Sequence, residues 1–442
     1  MFVKNQNLLK AFLLIGIVSL YSCIEFKEPF EKMPPGQWRG QLYLDQQSTF
    51  RPGIGQADVD LSEMAEKIED NVLPFMFDIG YDENGELFAI FKNADEEVLV
   101  TDISFGTDLS IAKDTFTLRF PGTDNFLKGI YAENIMQGFW SVPSRGNYIV
   151  PFEAFYGKKN RFELPINAKS EPKIDVDGKW KVTFNPGEEN ERTSIGEFRQ
   201  DGTKITGTFI NDAGDYRYLE GVVEDDKIWL SSFDGVFAFL FGAKKSADGK
   251  LEGFFRSGRH FETSWSAIRA EEVSLKDPRT MTVLTDDFFR FNALDTDGNA
   301  VTEADFLGQP TLLYITGSWC VNCKDASNLL SELNKEYGVQ VIGIAFERHA
   351  DVEAALRVVE KYKSDLKLDF PILLGGNLDR EVIAASLPSI EGVRAYPTVF
   401  FLDSEFEIVD SYTGFSGPAT SVYEELVRTF HTITSQLVGH DQ

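Results

Sequence analysis

The sequence predicts a multidomain protein in which an antiparallel all-β region, made of two barrel-like or sandwich-like repeats, precedes a C-terminal α/β domain. Two observations carry this prediction. Up to about residue 270, short runs of alternating apolar side chains are separated by Asn-Gly and Asp-Gly turn signals, as in antiparallel hairpins. From about residue 286, apolar strand-like runs alternate with longer segments of helical periodicity, which predicts alternating strands and helices.

The β-rich region carries a weak internal repeat. Gly36-Gln-Trp38 and Gly178-Lys-Trp180 open two similar stretches. Each stretch later reaches a Gly-Phe-aromatic step, at 138–140 and at 253–255, followed by an arginine-bearing turn and a closing strand. We therefore predict two β-rich domains built on the same plan. Their expected limits are 35–165 and 172–270.

The N-terminal segment has the features of an export signal. The first 24 residues carry only two charges, both lysines, and the apolar run 11–20 is too short to span a membrane. The run ends in Leu20-Tyr-Ser-Cys23, which resembles a bacterial lipobox, the motif whose cysteine is lipidated and becomes the mature N-terminus. We expect a lipoprotein signal peptide at 1–22, a lipidated Cys23 and a tether at 23–34. An uncleaved anchor and a plain secretory signal are the alternatives.

The composition excludes several classes of partner. The chain has 70 acidic against 43 basic residues and a formal net charge of −27, which argues against nucleic-acid binding and against a polybasic membrane contact. Three cysteines are present, so lipidation of one leaves a single pair. The four histidines are scattered along the chain, and we expect neither a metal site nor a cofactor.

The stretch Trp319-Cys-Val-Asn-Cys323 is the strongest chemical signal in the sequence. It follows an apolar run, 311–316, that predicts a buried strand. Five residues after it fall on one face of a predicted helix: Ala326, Leu329, Leu330, Leu333 and Tyr337. Cys320 is therefore expected at a helix N-terminus, where the thiolate is favoured, and Cys323 can attack a mixed disulfide formed on Cys320. Half of a zinc site is the alternative, but it would need two more ligands.

The order of elements after residue 285 is that of thioredoxin. A strand, a helix, a strand, a short helix, a hairpin and a final helix are expected after the Cys-x-x-Cys helix. Their expected ranges are 339–346, 351–362, 370–374, 379–387, 398–402 with 407–412, and 419–437. The expected domain is 286–442, and a charged linker at 271–285 separates it from the β-rich region.

The C-terminal third also resembles a known family. Residues 286–437 resemble the TlpA/ResA-type extracytoplasmic thiol–disulfide oxidoreductases, in the redoxin branch of the thioredoxin-like proteins. The matching stretches are Phe291 to Val301, Asp305-Phe-Leu-Gly308, Gly317-Ser-Trp-Cys-Val-Asn-Cys323, Gly338 to Glu347, and Tyr396-Pro-Thr398. The family often has a proline where Val321 stands, so the resemblance does not set the redox potential.

The resemblance implies a role for each matching site residue. Cys320 and Cys323 would be catalytic, and Glu347 would be the acid that tunes their chemistry. Pro397 would be a cis-proline facing the cysteines, and together with Trp319 and Tyr396 it would bind the substrate. In thioredoxin a buried aspartate lies in the strand before the cysteines, at the position that Tyr314 occupies here, so we expect Glu347 to handle protons instead.

The function that the sequence predicts best is reduction of protein disulfides. The expected partners are protein disulfide substrates and a membrane or periplasmic electron donor, and the expected location is the bacterial cell envelope, lipid-anchored and facing the periplasm or the exterior. A thiol peroxidase of the peroxiredoxin type is an alternative, but such enzymes place a proline together with a Thr or Ser before the reactive cysteine, and Gly317-Ser-Trp319 does not give this arrangement. A binding lipoprotein whose redox domain is accessory is a second alternative.

Overall fold

The structure is a computed structural model that describes residues 32–45, 70–146, 148–163 and 172–440. The predicted signal peptide, Cys23 and residues 23–31 of the predicted tether lie outside this range. The chain from Pro35 to Gln442 forms one compact unit. None of the helices in the described ranges combines the length and the apolar character that crossing a membrane requires.

The first part of the unit is a nine-stranded antiparallel sheet. The strands run in the order β4-β3-β2-β1-β9-β8-β7-β6-β5. Consecutive strands are therefore neighbours in the sheet except β4 and β5, which lie at its two edges, and the first strand β1 pairs with the last strand β9. The strands are β1 (Gly36–Tyr43), β2 (Val72–Tyr81), β3 (Leu87–Asn93), β4 (Glu96–Val100), β5 (Asp102–Asp108), β6 (Lys113–Arg119), β7 (Phe126–Ala132), β8 (Ile135–Val142) and β9 (Tyr148–Tyr156).

The second part is an antiparallel barrel. Its strands are β10 (Gly178–Phe184), β11 (Arg192–Asp201), β12 (Lys204–Asn211), β13 (Gly214–Asp215), β14 (Leu219–Glu224), β15 (Lys227–Phe233), β16 (Ala238–Lys245), β17 (Leu251–Ser257) and β18 (Phe261–Arg269). Strand β10 pairs with both β11 and β18, and β11 also pairs with β12, so the hydrogen bonding closes on itself. The prediction of two barrel-like repeats is confirmed.

The sequence repeat corresponds to equivalent places in the two sheets. Trp38 and Trp180 are buried on β1 and β10, the first strand of each sheet. Gly138 and Gly253 lie on β8 and β17, the next-to-last strands. A Cβ at Gly138 would meet the carbonyl oxygen of Lys128 at 2.1 Å, and a Cβ at Gly253 would meet that of Gly242 at 2.0 Å. Both steps therefore require glycine because the neighbouring strand approaches too closely for a side chain.

The C-terminal part is a seven-stranded mixed sheet in the order β20-β19-β23-β22-β21-β24-β25. Its strands are β19 (Asn292–Leu294), β20 (Ala300–Thr302), β21 (Thr311–Thr316), β22 (Gln340–Glu347), β23 (Ile372–Asn377), β24 (Thr398–Leu402) and β25 (Ile408–Thr413). Its helices are α1 (Val321–Tyr337), α2 (Val352–Asp365), α3 (Arg380–Ser386) and α4 (Tyr423–His440). The prediction of a thioredoxin-like fold is confirmed.

Strand β21 is an inner strand of this sheet, and its side chains enter the cores on both faces. Leu312 and Tyr314 pack in the cluster that includes α1 and α4, whereas Leu313 and Ile315 pack in the cluster on the other face. Strand β21 pairs in parallel with β22 and antiparallel with β24. A strand that is covered on both faces needs apolar side chains at successive positions, which explains its unbroken apolar run.

Residues of the predicted linker 271–285 form hydrogen bonds with the barrel and with the thioredoxin-like part. The Lys276 amide donates to Asp212 of the barrel at 3.0 Å, and the Thr413 amide donates to the Pro278 carbonyl oxygen at 2.9 Å. Leu284 forms an isolated antiparallel bridge with Ile390. This segment is therefore fixed between the barrel and the thioredoxin-like sheet.

Candidate active site

The two cysteines lie at the point where β21 passes into α1. Cys320 is the N-cap residue of the helix, and its Sγ accepts a hydrogen bond from the Cys323 amide at 3.2 Å. Gly317 permits the tight turn, because a Cβ there would lie 2.5 Å from the Trp319 ring nitrogen and 2.8 Å from the Phe346 carbonyl oxygen. Gly338 ends the helix in the left-handed conformation, as the sequence predicts.

Cys320 and Cys323 are joined by a disulfide bond. Cys320 is 5% exposed and Cys323 is fully buried. The sulfur at the helix N-terminus is therefore the one nearer to solvent, and a negative charge on it would be stabilised by the helix dipole and by the Cys323 amide. This is the arrangement that an attacking thiol and a resolving thiol require.

Glu347 is held beside this turn. It ends β22, the parallel neighbour of β21, and is 1% exposed. Its two carboxylate oxygens accept hydrogen bonds from the amide and the hydroxyl of Ser318, each at 2.7 Å. Burial raises the pKa of Glu347 to about 7, and the hydrogen bonds from Ser318 oppose that rise. The carboxyl group can therefore gain or lose a proton near neutral pH.

The predicted substrate-binding residues form one aromatic contact. Trp319 and Tyr396 meet edge to face, with ring centroids 4.9 Å apart, and the Trp319 ring nitrogen donates to the Phe346 carbonyl oxygen at 2.8 Å. The Tyr396–Pro397 peptide bond is cis, as the resemblance implies. The loop that precedes β24 is thus brought against the loop that carries Cys320.

The β-rich part covers the first turn of α1. The Asn322 side-chain amide donates to the carbonyl oxygens of Asp215 and Phe415, at 3.1 and 3.3 Å. The Lys324 ammonium donates to the Pro121 carbonyl oxygen at 3.1 Å. Asn322, which lies between the two cysteines, is only 9% exposed as a result.

An ion-pair network fixes this cover. Arg217, from the turn after β13, pairs with Asp325 on α1 and with Glu96 on β4. The three side chains are 9–13% exposed. One guanidinium group therefore links the nine-stranded sheet, the barrel and the active-site helix.

Six of the seven residues that the sequence predicts for the site are described, and the structure brings them together: Cys320, Cys323, Glu347, Trp319, Tyr396 and Pro397. Cys23, the predicted lipidation site, lies outside the described residues. Sequence reasoning missed Ser318, although it stands inside the matching stretch, and it missed the contacts that Asn322 and Lys324 make with the β-rich part. A local signal existed only for Ser318, because the others depend on partners that are distant in sequence.

Within the described residues, no group of three or more His, Cys, Asp or Glu side chains is arranged to hold a metal ion. His349 pairs instead with Asp124 of the β6–β7 loop, Nε2 to Oδ2, at 2.9 Å. The hydrogen bond that His349 donates to Asp124 raises the pKa of His349.

The thioredoxin-like part of the chain is similar to known proteins. Residues 284–411 match the model of the AhpC/TSA family. The chain is 30% identical over 128 residues to the thiol:disulfide interchange protein DsbE of Pseudomonas fluorescens biotype C, a match covering 29% of this chain and 65% of that protein. It is 27% identical over 124 residues to the thioredoxin-like protein YneN of Bacillus subtilis, covering 28% of this chain and 68% of that protein. The chain thus spans about two thirds of the length of these curated relatives.

Solved structures give similar coverage. A secreted disulfide oxidoreductase of Mycobacterium tuberculosis is 20% identical, with a TM-score of 0.26, 33% of this chain covered and 96% of that chain. A secreted thiol-disulfide isomerase of Corynebacterium glutamicum is 18% identical, with a TM-score of 0.27, 37% of this chain covered and 98% of that chain. The thioredoxin-like fold of the C-terminal part is given by its own sheet and helices, and residues 284–411 within it are similar to the AhpC/TSA family.

Proposed function

We propose that this protein is a membrane-tethered thiol–disulfide oxidoreductase of the cell envelope that reduces protein disulfides through Cys320 and Cys323. The observation that carries the proposal is the disulfide between a helix N-cap cysteine and a fully buried cysteine three residues later. The names of the two curated relatives, an interchange protein and a thioredoxin-like protein, support the same reaction class.

The reaction consists of two exchange steps. In the reduced protein, the Cys320 thiolate attacks one sulfur of the substrate disulfide, and the other substrate sulfur leaves as a thiolate that takes up a proton. Cys323 then loses its proton and attacks Sγ of Cys320, which releases the second substrate thiol and forms the Cys320–Cys323 disulfide. Two electrons pass from the protein to the substrate, so a dithiol electron donor must reduce the pair before the next cycle.

Glu347 supplies a group that can take the proton from Cys323. Its pKa of about 7 lets it accept a proton at the moment when the resolving thiol must become a thiolate. Ser318 connects it to the turn that carries Cys320, since both carboxylate oxygens are bonded to that residue. Glu347 is therefore proposed as the proton acceptor of the second step.

Trp319, Tyr396 and Pro397 are proposed to receive the substrate chain. They form the aromatic contact and the cis peptide beside the Cys320 loop, where an extended peptide can lie next to the reacting sulfur. The tether is proposed from the sequence of the first 23 residues, with Cys23 as the lipidated residue.

The function is tested with Cys320→Ala and Cys323→Ala. Cys320→Ala is expected to abolish insulin-disulfide reduction, and Cys323→Ala to accumulate mixed disulfides because attack proceeds without resolution. Cys23→Ser in a soluble form, which changes the third cysteine, serves as the matched control and should reduce insulin normally. Consumption of hydrogen peroxide without insulin reduction would favour a thiol peroxidase, and a lack of both activities would favour the binding-lipoprotein alternative.

The tether is tested by fractionation. In cells, Cys23→Ser is expected to move the protein from the membrane to the soluble fraction, since lipid chains on the mature N-terminus would anchor it firmly. Retention of this variant in membranes at high salt would indicate an uncleaved helical anchor.

A further inference from the structure

Equivalent turns of the two β-sheets meet next to the active site. The turn between β8 and β9 contains Arg145, and the turn between β17 and β18 contains Arg259 and His260. Nη1 of Arg145 lies 2.9 Å from Nδ1 and 2.7 Å from Nε2 of His260. The Arg259 amide donates to the hydroxyl of Tyr148 at 2.7 Å, and its guanidinium group donates to the Ile149 carbonyl oxygen at 2.8 Å.

The thioredoxin-like domain contributes a third arginine. Arg348 directly follows Glu347, and its guanidinium carbon lies 4.7 Å from the centroid of the Trp319 ring. Partial burial, followed by the charges of Arg145 and then of Arg348, lowers the pKa of His260 to about 4. We call Arg145, Arg259, His260 and Arg348 the arginine cleft. Its residues come from the nine-stranded sheet, from the barrel and from the segment that follows Glu347 in the thioredoxin-like part.

The cleft lacks the carboxylates that its charges require. Within the described ranges, no Asp or Glu oxygen lies within 4.0 Å of a guanidinium nitrogen of Arg145, Arg259 or Arg348. This contrasts with the chain as a whole, in which 70 acidic residues outnumber 43 basic ones. Burial, followed by the charge of Arg145, lowers the pKa of Arg348 to about 10, and the charge of Glu347 opposes this shift only in part. Two partly buried cations that repel each other are stabilised most by an anion placed between them.

We propose that the arginine cleft binds a carboxylate of the substrate, so that the protein acts preferentially on disulfides flanked by acidic groups. This inference rests on the proposed function and names its substrate class. A guanidinium group can hold a carboxylate through two parallel hydrogen bonds, and neutral His260 can donate a third. Arg348 stacks on Trp319, the residue next to Cys320, so a bound carboxylate belongs to the molecule whose disulfide is being attacked. The positive cleft also steers anionic substrates towards an otherwise negative protein.

Single-turnover oxidation tests the proposal without an added electron donor. The full-length soluble protein is reduced, freed of reductant and mixed with 3,3′-dithiodipropionate or with the neutral bis(2-hydroxyethyl) disulfide. Each protein dithiol is converted to its disulfide while one small disulfide becomes two thiols. The rate is followed by quenching samples with an alkylating agent and measuring the protein mass by mass spectrometry, which shows how many thiols remain reduced. The measured quantity is the ratio of the dianion rate to the neutral rate, which corrects each variant for general loss of activity.

The ratio is expected to fall about fivefold to tenfold in Arg348→Gln and in Arg145→Gln, because each removes one charge that faces the carboxylate. Arg348→Lys and Arg145→Lys keep the charge and should retain most of the preference. Arg199→Gln is the matched control, since Arg199 is exposed on β11 and has no ion pair among the described residues. In the unaltered protein, sulfate at constant ionic strength should lower the ratio by competing for the cleft.

Two results would overturn the inference. If both disulfides are reduced but the ratio is the same in the Gln variants and insensitive to sulfate, the cleft does not bind the substrate, and the proposed function stands. If neither disulfide reacts with the fully reduced protein, the proposed function fails and the inference fails with it.

Discussion

The two sides of the active-site turn are built in different ways. On one side, Glu347 ends β22 and Ser318 lies in the turn after β21, the parallel neighbour of β22, and hydrogen bonds of 2.7 Å join the two residues. On the other side, Asn322 and Lys324 of α1 contact residues that are more than 100 positions away, Asp215 in the barrel and Pro121 in the nine-stranded part. The chemistry is therefore local to the thioredoxin-like domain, whereas access to it is shared with the β-rich part.

This difference assigns a role to the β-rich part. A thiol–disulfide exchange site needs an exposed sulfur, yet Cys320 and both residues between the cysteines are less than 10% exposed. The cover is formed by the Gly214–Arg217 segment of the barrel and by the 121–124 loop of the nine-stranded sheet. We expect the β-rich part to select which substrates reach Cys320. Four variants test how much the contacts on each side of the active-site turn contribute to stability and to access.

Removal of the Arg217 charge is expected to have the largest effect. Arg217→Met leaves Glu96 and Asp325 buried without their cation, and we expect a loss of about 3–5 kcal/mol in the free energy of unfolding. Urea unfolding measures it, and faster alkylation of Cys320 should accompany it. Arg119→Met is the control, because the Arg119–Asp102 pair is about half exposed and is worth under about 1 kcal/mol. Equal losses in the two variants would mean that the buried network does not hold the cover.

Replacement of Glu347 tests the side of the active-site turn that is built within the thioredoxin-like part. Its pKa of about 7 exceeds the ordinary value of 4.5, so the folded protein binds more protons than the unfolded chain between these two pH values. Stability from this group is greatest below pH 4.5, falls as the pH rises to 7, and is fully lost above 7. We therefore expect Glu347→Gln to gain up to about 3 kcal/mol relative to the native protein between pH 4.5 and 8. Urea unfolding at the two pH values measures this.

The same variant reports on the chemistry. Glu347→Gln should slow resolution of the mixed disulfide and remove the inflection near pH 7 from the profile of thiol alkylation. Glu353 is an exposed acid on α2, and Glu353→Gln should change neither the resolution of the mixed disulfide nor the pH profile of thiol alkylation. A native inflection that survives in Glu347→Gln would place the titrating group elsewhere.

Adding a single methyl group at Gly214 tests the side of the active-site turn that the β-rich part covers. Gly214 has φ of +139°, and a Cβ there would lie 2.3 Å from Nδ2 of Asn322 and 2.5 Å from the Phe415 carbonyl oxygen. We expect Gly214→Ala to cost about 1–3 kcal/mol and to speed reduction of large substrates, because the barrel segment must move off α1. Gly202→Ala is the control, since Gly202 also has a positive φ but no atom within 4 Å of the added group. The cover does not limit access if both variants reduce insulin at the native rate.

The smallest effect is expected at the Asp124–His349 pair. The hydrogen bond that His349 donates to Asp124 raises the pKa of His349, whose charge also faces Glu347 and Arg357. The pair therefore stabilises the fold fully below pH 6.5 and less as the pH rises through the raised pKa. Asp124→Asn should cost under about 1 kcal/mol at pH 5.5 and less at pH 8.5. Glu336→Gln, which weakens the looser His431 pair at 3.7 Å, is the comparison. A cost that grows with pH would contradict this assignment.

The sequence was sufficient for features that arise from nearby residues. The Cys-x-x-Cys turn, its helix with a terminal Gly338, and the paired Gly-x-Trp openings of the β-sheets all follow from periodicity and turn chemistry, which act over a few positions. Glu347 was predicted from the family resemblance, because it ends the matching stretch that begins at Gly338. The expected domain limits remain predictions.

What only the tertiary structure decided is the surroundings of the cysteines. Arg145 and His260 belong to equivalent turns of the sequence repeat, but no pattern indicates that these turns meet each other beside Trp319 and Arg348. Likewise, no sequence pattern around Arg217 indicates that it pairs with Glu96 and Asp325. Motifs encode backbone conformation, which depends on local sterics and hydrogen bonding, whereas contacts between domains depend on how separately folded surfaces fit together.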